Sequence, residues 1–322
     1  MENALGGERP DTRNSASTLS INIGLLAFVA AVAALVFGAA AFLPWSIGGE
    51  IALVLLAAFT APLHWGLLHE SIHGKLFADE KWNRIAGRAL GVFLLFNWDV
   101  MRFAHLYHHR ENRHSRDRPE DLGLGGSWWR AAPVFFFTLL GGQQLGAMAA
   151  PLAVLPPLSV TQWLTEHLFS DPDTAKLKAA TLRVFTDLER RARIRVDFVF
   201  AVAFAAMAIW LWGAYWYVFA ACIAVRFVVL SLLDNAPHYG TAIDSGLDAK
   251  NTTLSPALRW LVLNSNFHGV HHRLPNIGWR ELPENFVALQ GRYTESWIAM
   301  VLRQFRGPMH VPAHDRSAAT DA

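Results

Sequence analysis

The chain is poor in charge and almost devoid of cysteine. Of its 322 residues only 17% are Asp, Glu, Lys or Arg, while 53% are hydrophobic. Its mean hydropathy is positive, at +0.23. That composition is too apolar for an ordinary soluble domain and points to a polytopic membrane protein. The single cysteine, Cys222, rules out an intrachain disulfide and any CxxC iron–sulfur or rubredoxin-like site. A formal net charge of +2 gives no argument for nucleic acid. No cleavable signal peptide is expected, because residues 1–18 are polar and the first apolar run is too long for a signal h-region.

What is present are long apolar runs separated by basic segments. Residues 1–18 carry Gly, Ser, Asn and mixed charge without an apolar period, the composition of a disordered N-terminus. Residues 21–43 are apolar, and 47–68 are apolar except for Glu50 and His64. About 20 such residues span a bilayer. The loop 44–49 between them has no Lys or Arg, whereas 69–130 has ten and 161–196 has seven. The positive-inside rule assigns both basic segments to the cytoplasm. The apolar run 89–98 is too short to span and is expected at the interface. Residues 131–158, broken by Gly141-Gly142-Gln143-Gln144 and by Pro151, Pro156 and Pro157, are too few for two crossings, which need about 40 residues. They read as a re-entrant or interface-lying helical segment.

Within 161–196, one helical face carries Leu177, Thr181, Val184, Phe185, Leu188, Ala192 and Val196. It reads as an amphipathic helix, either on an anionic leaflet or packed on the rest of the protein. The 37 apolar residues 197–233 suffice for a hairpin of two helices turning near Gly213. The expected fold is therefore an all-α integral membrane protein. It has about four transmembrane helices in two hairpins, interfacial or re-entrant helices, and a cytoplasmic His-rich helical cap. The expected divisions are a disordered 1–18, a membrane domain 19–306 and a flexible tail 307–322.

Eight of the fourteen histidines fall in three clusters beside these runs. They are His69-Glu-Ser-Ile-His73, His105-Leu-Tyr-His108-His109 and His268-Gly-Val-His271-His272. Residues three and four apart share a helix face, and neutral imidazole is the commonest protein metal ligand. Eight convergent imidazoles exceed what one tetrahedral ion needs, so two metal ions are expected. The span count puts all three clusters on one membrane face. His238 follows the fourth apolar stretch at a comparable depth and joins them as a ninth ligand. Glu70, Asp117, Asp234 and Asn235 are the residues expected to orient an imidazole or hold a metal-bound water, with Glu120 as a further one. Arg226 is read as snorkelling toward the interface. His64 stays open between ligand and packed residue, while His114, His167, His310 and His314 are read as bystanders.

His69-Glu70-x-x-His73 also fits the zinc-protease pattern HExxH, with Glu70 as general base. That reading leaves both HxxHH clusters unexplained. A carboxylate-bundle reading from Glu70-x-x-His73 and Glu111-x-x-His114 abandons still more histidines.

Taken together, HxxxH at 69–73 and HxxHH at 105–109 and 268–272 resemble the three histidine boxes of the integral-membrane fatty acid desaturase family. The flanks His109-Arg-Glu-Asn-Arg-His-Ser-Arg-Asp and His272-Arg-Leu-Pro-Asn-Ile-Gly-Trp match as well, and the resemblance spans roughly residues 45–290. Hydroxylases, ketolases and alkane monooxygenases share these boxes, and Asn235-Ala-Pro-His238-Tyr-Gly is similar to a fourth motif of the alkane monooxygenases. The resemblance implies two non-haem Fe ions held by His69, His73, His105, His108, His109, His238, His268, His271 and His272. O2 would be the co-substrate, and no residue beyond the metal centre would be catalytic. The substrate would be a fatty acyl lipid or acyl thioester, taken from or beside membrane lipids. The implied product is a cis double bond, with hydroxylation as the alternative. The implied setting is the cell inner membrane, multi-pass, with the site facing the cytoplasm. No His-Pro-Gly-Gly stretch marks a fused cytochrome b5 domain, and no Rossmann glycine pattern occurs. Electrons would therefore come from a separate ferredoxin- or rubredoxin-like donor. Arg102, Arg110, Arg113, Arg116, Lys176 and Lys178 are the basic residues expected to face it.

Overall fold

The computed structural model describes residues 16–38, 46–114, 116–123, 125–243 and 249–311. Residues 1–15 of the expected disordered N-terminus and 312–322 of the expected tail, with His314, lie outside the described residues. Helix α1 (Ala16–Gly38) begins inside the stretch read as disordered. Helix α2 (Ile47–Ile72) starts on Ser46, whose hydroxyl accepts from Gly49 N–H at 3.3 Å. Helices α3 (Glu80–Leu94) and α4 (Trp98–Arg110) follow, capped by the Asp79 and Asn97 side chains. Next come α5 (Trp128–Phe137), α6 (Gln143–Ala149), α7 (Leu158–Leu168) and α8 (Ala175–Phe185). The long pair α9 (Leu188–Trp212) and α10 (Trp216–Asn235) is joined by one turn at Gly213, whose φ is 51°. The C-terminal part holds α11 (Pro256–Arg259), α12 (His268–Arg273), α13 (Leu282–Ala288) and α14 (Trp297–Arg303). Two short strands, β1 (Thr252–Thr253) and β2 (Glu295–Ser296), pair in parallel among them.

Among the described residues three stretches are long and apolar enough to cross a membrane: 18–38, 47–72 and 188–235. The last is the α9–α10 pair. Its turn is tied back to the first stretch by Trp212 Nε1–H, which donates to the Val36 carbonyl at 2.9 Å. Helix α10 lies against α2, and their buried apolar faces merge into one core with α3 and the start of α4.

Residues 89–98 are largely covered by the protein itself. Leu90, Val92, Leu94, Phe96 and Trp98 are buried in the core, and the chain reverses at Leu95, whose φ is 61°. At Gly87 a Cβ would stand 2.2 Å from Trp98 Nε1, so the lack of a side chain lets α3 and α4 close up. Residues 161–196 do not form one amphipathic helix. They divide into α7, α8 and the start of α9, because Asp187 caps a new helix by accepting from Arg190 N–H at 2.8 Å. Arg191 there points inward, donating to Thr161 Oγ1 and to the Phe185 and Pro156 carbonyls. The expected face ends at Phe185, since Leu188, Ala192 and Val196 are exposed.

Residues 131–158 are helical but broken. A π-turn (Thr138–Gly142) separates α5 from α6, with Gly141 at φ 112° against Phe227 of α10. The tail does not begin loosely either. Met309 N–H donates to the Glu120 carbonyl, Leu122 N–H to the Met309 carbonyl, and Tyr239 Oη–H to the Gly307 carbonyl.

Candidate metal centre

Each histidine cluster sits at a helix end fixed by neighbouring polar groups. His69 is in the last turn of α2, and His73 caps it. His105, His108 and His109 occupy the second half of α4, whose start is pinned to α9 by Asn97 Nδ2–H donating to the Ile194 carbonyl. Helix α12 is only six residues long and is held by its surroundings. Asn251 Oδ1 accepts from Val270 N–H at 3.1 Å, and Asn266 exchanges hydrogen bonds with Thr252 of β1. Gly269 lies so near the Ala249 carbonyl that a Cβ would stand at 2.6 Å. His238 follows α10 in a tight turn, with His238 N–H and Tyr239 N–H both donating to the Asn235 carbonyl.

All nine histidines converge, in two groups. His69, His73, His105, His109 and His271 form one, and His108, His238, His268 and His272 the other; within each group the ligand atoms lie within 4.8 Å of one another. Neighbours on a helix point about 100° apart, so each HxxHH box divides. Its i, i+4 pair goes to one group and its remaining histidine to the other. The division is crosswise, since α4 contributes two to the first group and α12 contributes two to the second. The expectation that each box presents all its rings to one point is thus refined.

The nitrogens suit cations. His73 Nε2 and His109 Nε2 lie 2.9 and 3.0 Å from His105 Nε2, and His271 Nε2 lies 3.0 Å from His109 Nε2. His69 Nε2 is buried in the same group with no hydrogen-bond partner. In the second group His238 Nε2 is 3.2 Å from His108 Nε2 and 3.0 Å from His268 Nε2. His272 Nε2 is 3.3 and 3.1 Å from the same two atoms. A neutral imidazole has one N–H, so such knots of ring nitrogens leave lone pairs facing each other. A cation at each centre satisfies them. Protonation is suppressed in keeping with this. Burial first, and the charge of neighbouring imidazoles second, push His73, His105, His268, His271 and His272 well down, and His109 to about 3. His108 is the exception. Burial lowers it, but the hydrogen bond and charge of Asp117 outweigh burial and raise it.

Asp117 is the clearest supporting carboxylate. Its Oδ2 accepts from His108 Nδ1–H at 2.7 Å and from Arg113 N–H at 3.1 Å, which turns the His108 Nε2 lone pair inward. Glu70 lies 3.7 Å from His69 Nδ1, and its other oxygen accepts from Trp279 N–H at 3.1 Å. Asp234 is held by Gln143 Nε2–H from the broken 131–158 segment. Asn235 does not orient an imidazole with its side chain, because its amide donates to Gln304 Oε1 at 2.8 Å. Gln143 was not anticipated, although a glutamine pair within an apolar run was a visible signal. Trp65 was missed as well; its ring lies 6.4 and 6.3 Å from those of His69 and His105.

The other histidines stay apart. His64 is 1% exposed, its Nε2 hydrogen-bonded to the Leu90 carbonyl, and it belongs to neither group. His114 accepts from Arg116 N–H, His167 bonds within α7, and His310 is exposed. Glu120 and Arg113 form a fully buried ion pair at 2.7 Å. Arg113 is therefore withdrawn from the set expected to face a partner. Arg226 is likewise only 1% exposed.

A pocket opens onto both groups. His69, His105 and His271 of one and His108 and His268 of the other line it, with Asp234 and the apolar walls Trp65, Leu233, Val262, Leu263, Leu282 and Trp297. Membrane-length apolar helices with two adjacent polyhistidine clusters beside an apolar pocket are the features of an integral membrane protein with a metal centre. The family described as fatty acid desaturase matches residues 45–304, and the chain belongs to that family of oxidoreductases. No curated protein matches the chain.

Proposed function

We propose that the chain oxidises an unactivated methylene of a fatty acyl chain with O2 at a two-iron centre, leaving a cis double bond. The observation that carries this reading is the apolar pocket bordered by histidines of both groups. One iron would be held by His69, His73, His105, His109 and His271, the other by His108, His238, His268 and His272. Bound there, the pair supplies the O2 activation needed to remove hydrogen from an unactivated C–H bond. The chain's own residues do the rest. Asp117 holds the His108 tautomer, and Glu70 lies beside the His69 ring. Trp65, Leu263, Leu282 and Trp297 form an apolar wall that excludes water. Substrate position in that pocket decides whether a second hydrogen is lost.

The reading includes four crossings, α1, α2, α9 and α10, in a cell inner membrane with both histidine groups on the cytoplasmic side. It also includes an acyl lipid or acyl thioester substrate and a separate electron donor. A hydroxylase is the second reading. His238 belongs to the four-histidine group, and its Asn235-Ala-Pro-His238-Tyr-Gly setting is the one similar to alkane monooxygenases. The zinc-protease alternative is disfavoured, since both histidines of 69–73 belong to a group of five.

Expression in a host with a suitable reductant, followed by mass spectrometry of fatty acids, tests the proposal. New unsaturated chains are expected. Hydroxylated product alone would replace desaturation by hydroxylation. Zinc in the purified protein with O2-independent activity would overturn both.

A further inference from the structure

The metal centre has a second approach, which shares no lining residue with the apolar pocket. A groove of about 330 Å³ runs from His73 and Gly74 past Asn83 and Trp98 to Arg84 and Arg102. It continues into a larger groove of about 410 Å³ formed by α3, α4, α8 and the start of α9, the two sharing Glu80, Arg84, Trp98 and Arg102. Six arginines line this larger groove: Arg84, Arg102, Arg110, Arg183, Arg190 and Arg193. Only two carboxylates, Glu80 and Asp99, line it beside them. Asp99 is consumed by Arg193 at 3.1 Å, and Arg110 meets Glu111 at 3.4 Å. Arg84, Arg102, Arg183 and Arg190 have no ion pair among the described residues. The floor is aromatic, with Arg102 over Trp98 and Arg110 over Tyr107.

We propose that this groove docks an acidic one-electron carrier protein, which delivers electrons on the His73 side while substrate occupies the separate apolar pocket. The inference rests on the function proposed above. Desaturation consumes one O2, two electrons and two protons, together with two hydrogens of the substrate, and yields the alkene and two water molecules. Hydroxylation needs the same two electrons. Two reduced carriers, each oxidised by one electron, must therefore dock per turnover. The chain has one cysteine, and that residue, Cys222, is buried in α10. The charges favour a protein over a small anion. Arg84, Arg110 and Arg183 are exposed and fan out over three helices. A rim of that kind steers a large acidic surface and fixes its orientation.

The test uses the iron-loaded protein in detergent, with a reduced acidic plant-type ferredoxin as probe and the double variant Arg84→Glu/Arg183→Glu. Ferredoxin binding, measured without substrate, and its KM are both expected to weaken roughly tenfold at low salt. The difference should shrink as salt rises. Dithionite needs no docking surface, so iron content and dithionite-driven turnover should match the unaltered protein. Unchanged ferredoxin binding in the variant, or no binding by the unaltered protein, overturns the proposal. So does a raised KM for the acyl substrate in place of the ferredoxin. If the unaltered protein fails to turn over with dithionite and substrate, the proposed function falls, while the binding titration still decides the docking surface.

Discussion

Replacing Asp117 with Asn tests whether the two histidine groups are separate sites. Asn keeps the volume, and its carbonyl oxygen can still accept from Arg113 N–H, now at 3.1 Å, so the 113–121 loop should hold. What disappears is the negative charge 2.7 Å from His108 Nδ1. Burial lowers His108, but the hydrogen bond and charge of Asp117 together raise it, and the charge makes the Nε2 lone pair a stronger donor. Losing such a partner costs about 10–100-fold in metal affinity, or roughly 1.4–2.7 kcal/mol. His108 belongs to the four-histidine group alone. Chelator competition on iron-loaded protein should therefore show one ion loosened by that factor and the other unmoved. Equal loosening of both ions, or of neither, would refute the division into two sites and the role given to Asp117.

Single His108→Ala and His271→Ala variants should each abolish turnover and retain about one iron, from opposite groups. Retained activity in either, read by product analysis, would sink the ligand assignment, and His310→Ala should change nothing. Gly269→Ala should lower iron content in both groups, because a Cβ 2.6 Å from the Ala249 carbonyl displaces α12; metal analysis at unchanged overall helicity checks it. The metal-free protein should lose stability as pH falls below about 6.5. In that range the unfolded histidines take up protons that the buried ones refuse. Each depressed histidine costs roughly 1.4 kcal/mol per pH unit until its folded value is reached, which for His109 is about 3. His108, being raised, works in the opposite direction. An unfolding midpoint that stays flat between about pH 7 and about pH 5 would contradict the depressed values.

The spacing of the boxes carried the site far because helical periodicity is local. HxxHH places three rings within one turn or so, whatever the rest of the chain does. The same periodicity could not show where those rings would be sent. His108 and His109 are neighbours in the chain, yet they serve different groups, and only the placement of α12 and His238 opposite α4 reveals it. Asp117 was legible as a weak suspect; its contact with His108 depends on a loop that Arg113 and Glu120 stiffen from within. The partnership of Gln143 with Asp234 spans 91 residues and follows from the π-turn at Thr138–Gly142. Apolar content alone showed only that residues 131–158 were too few to cross twice. The long helix read over 161–196 failed for a local reason that was visible. Asp187 stands three residues before Arg190, a capping position that the apolar face masked. The crosswise division has a consequence that no single box carries. Each group draws on both α4 and α12, so neither site can be completed until the C-terminal segment has folded back onto α4. The short helix α12, held by Asn251, Asn266 and Gly269 and not by its own length, is where metal binding and tertiary folding become one event.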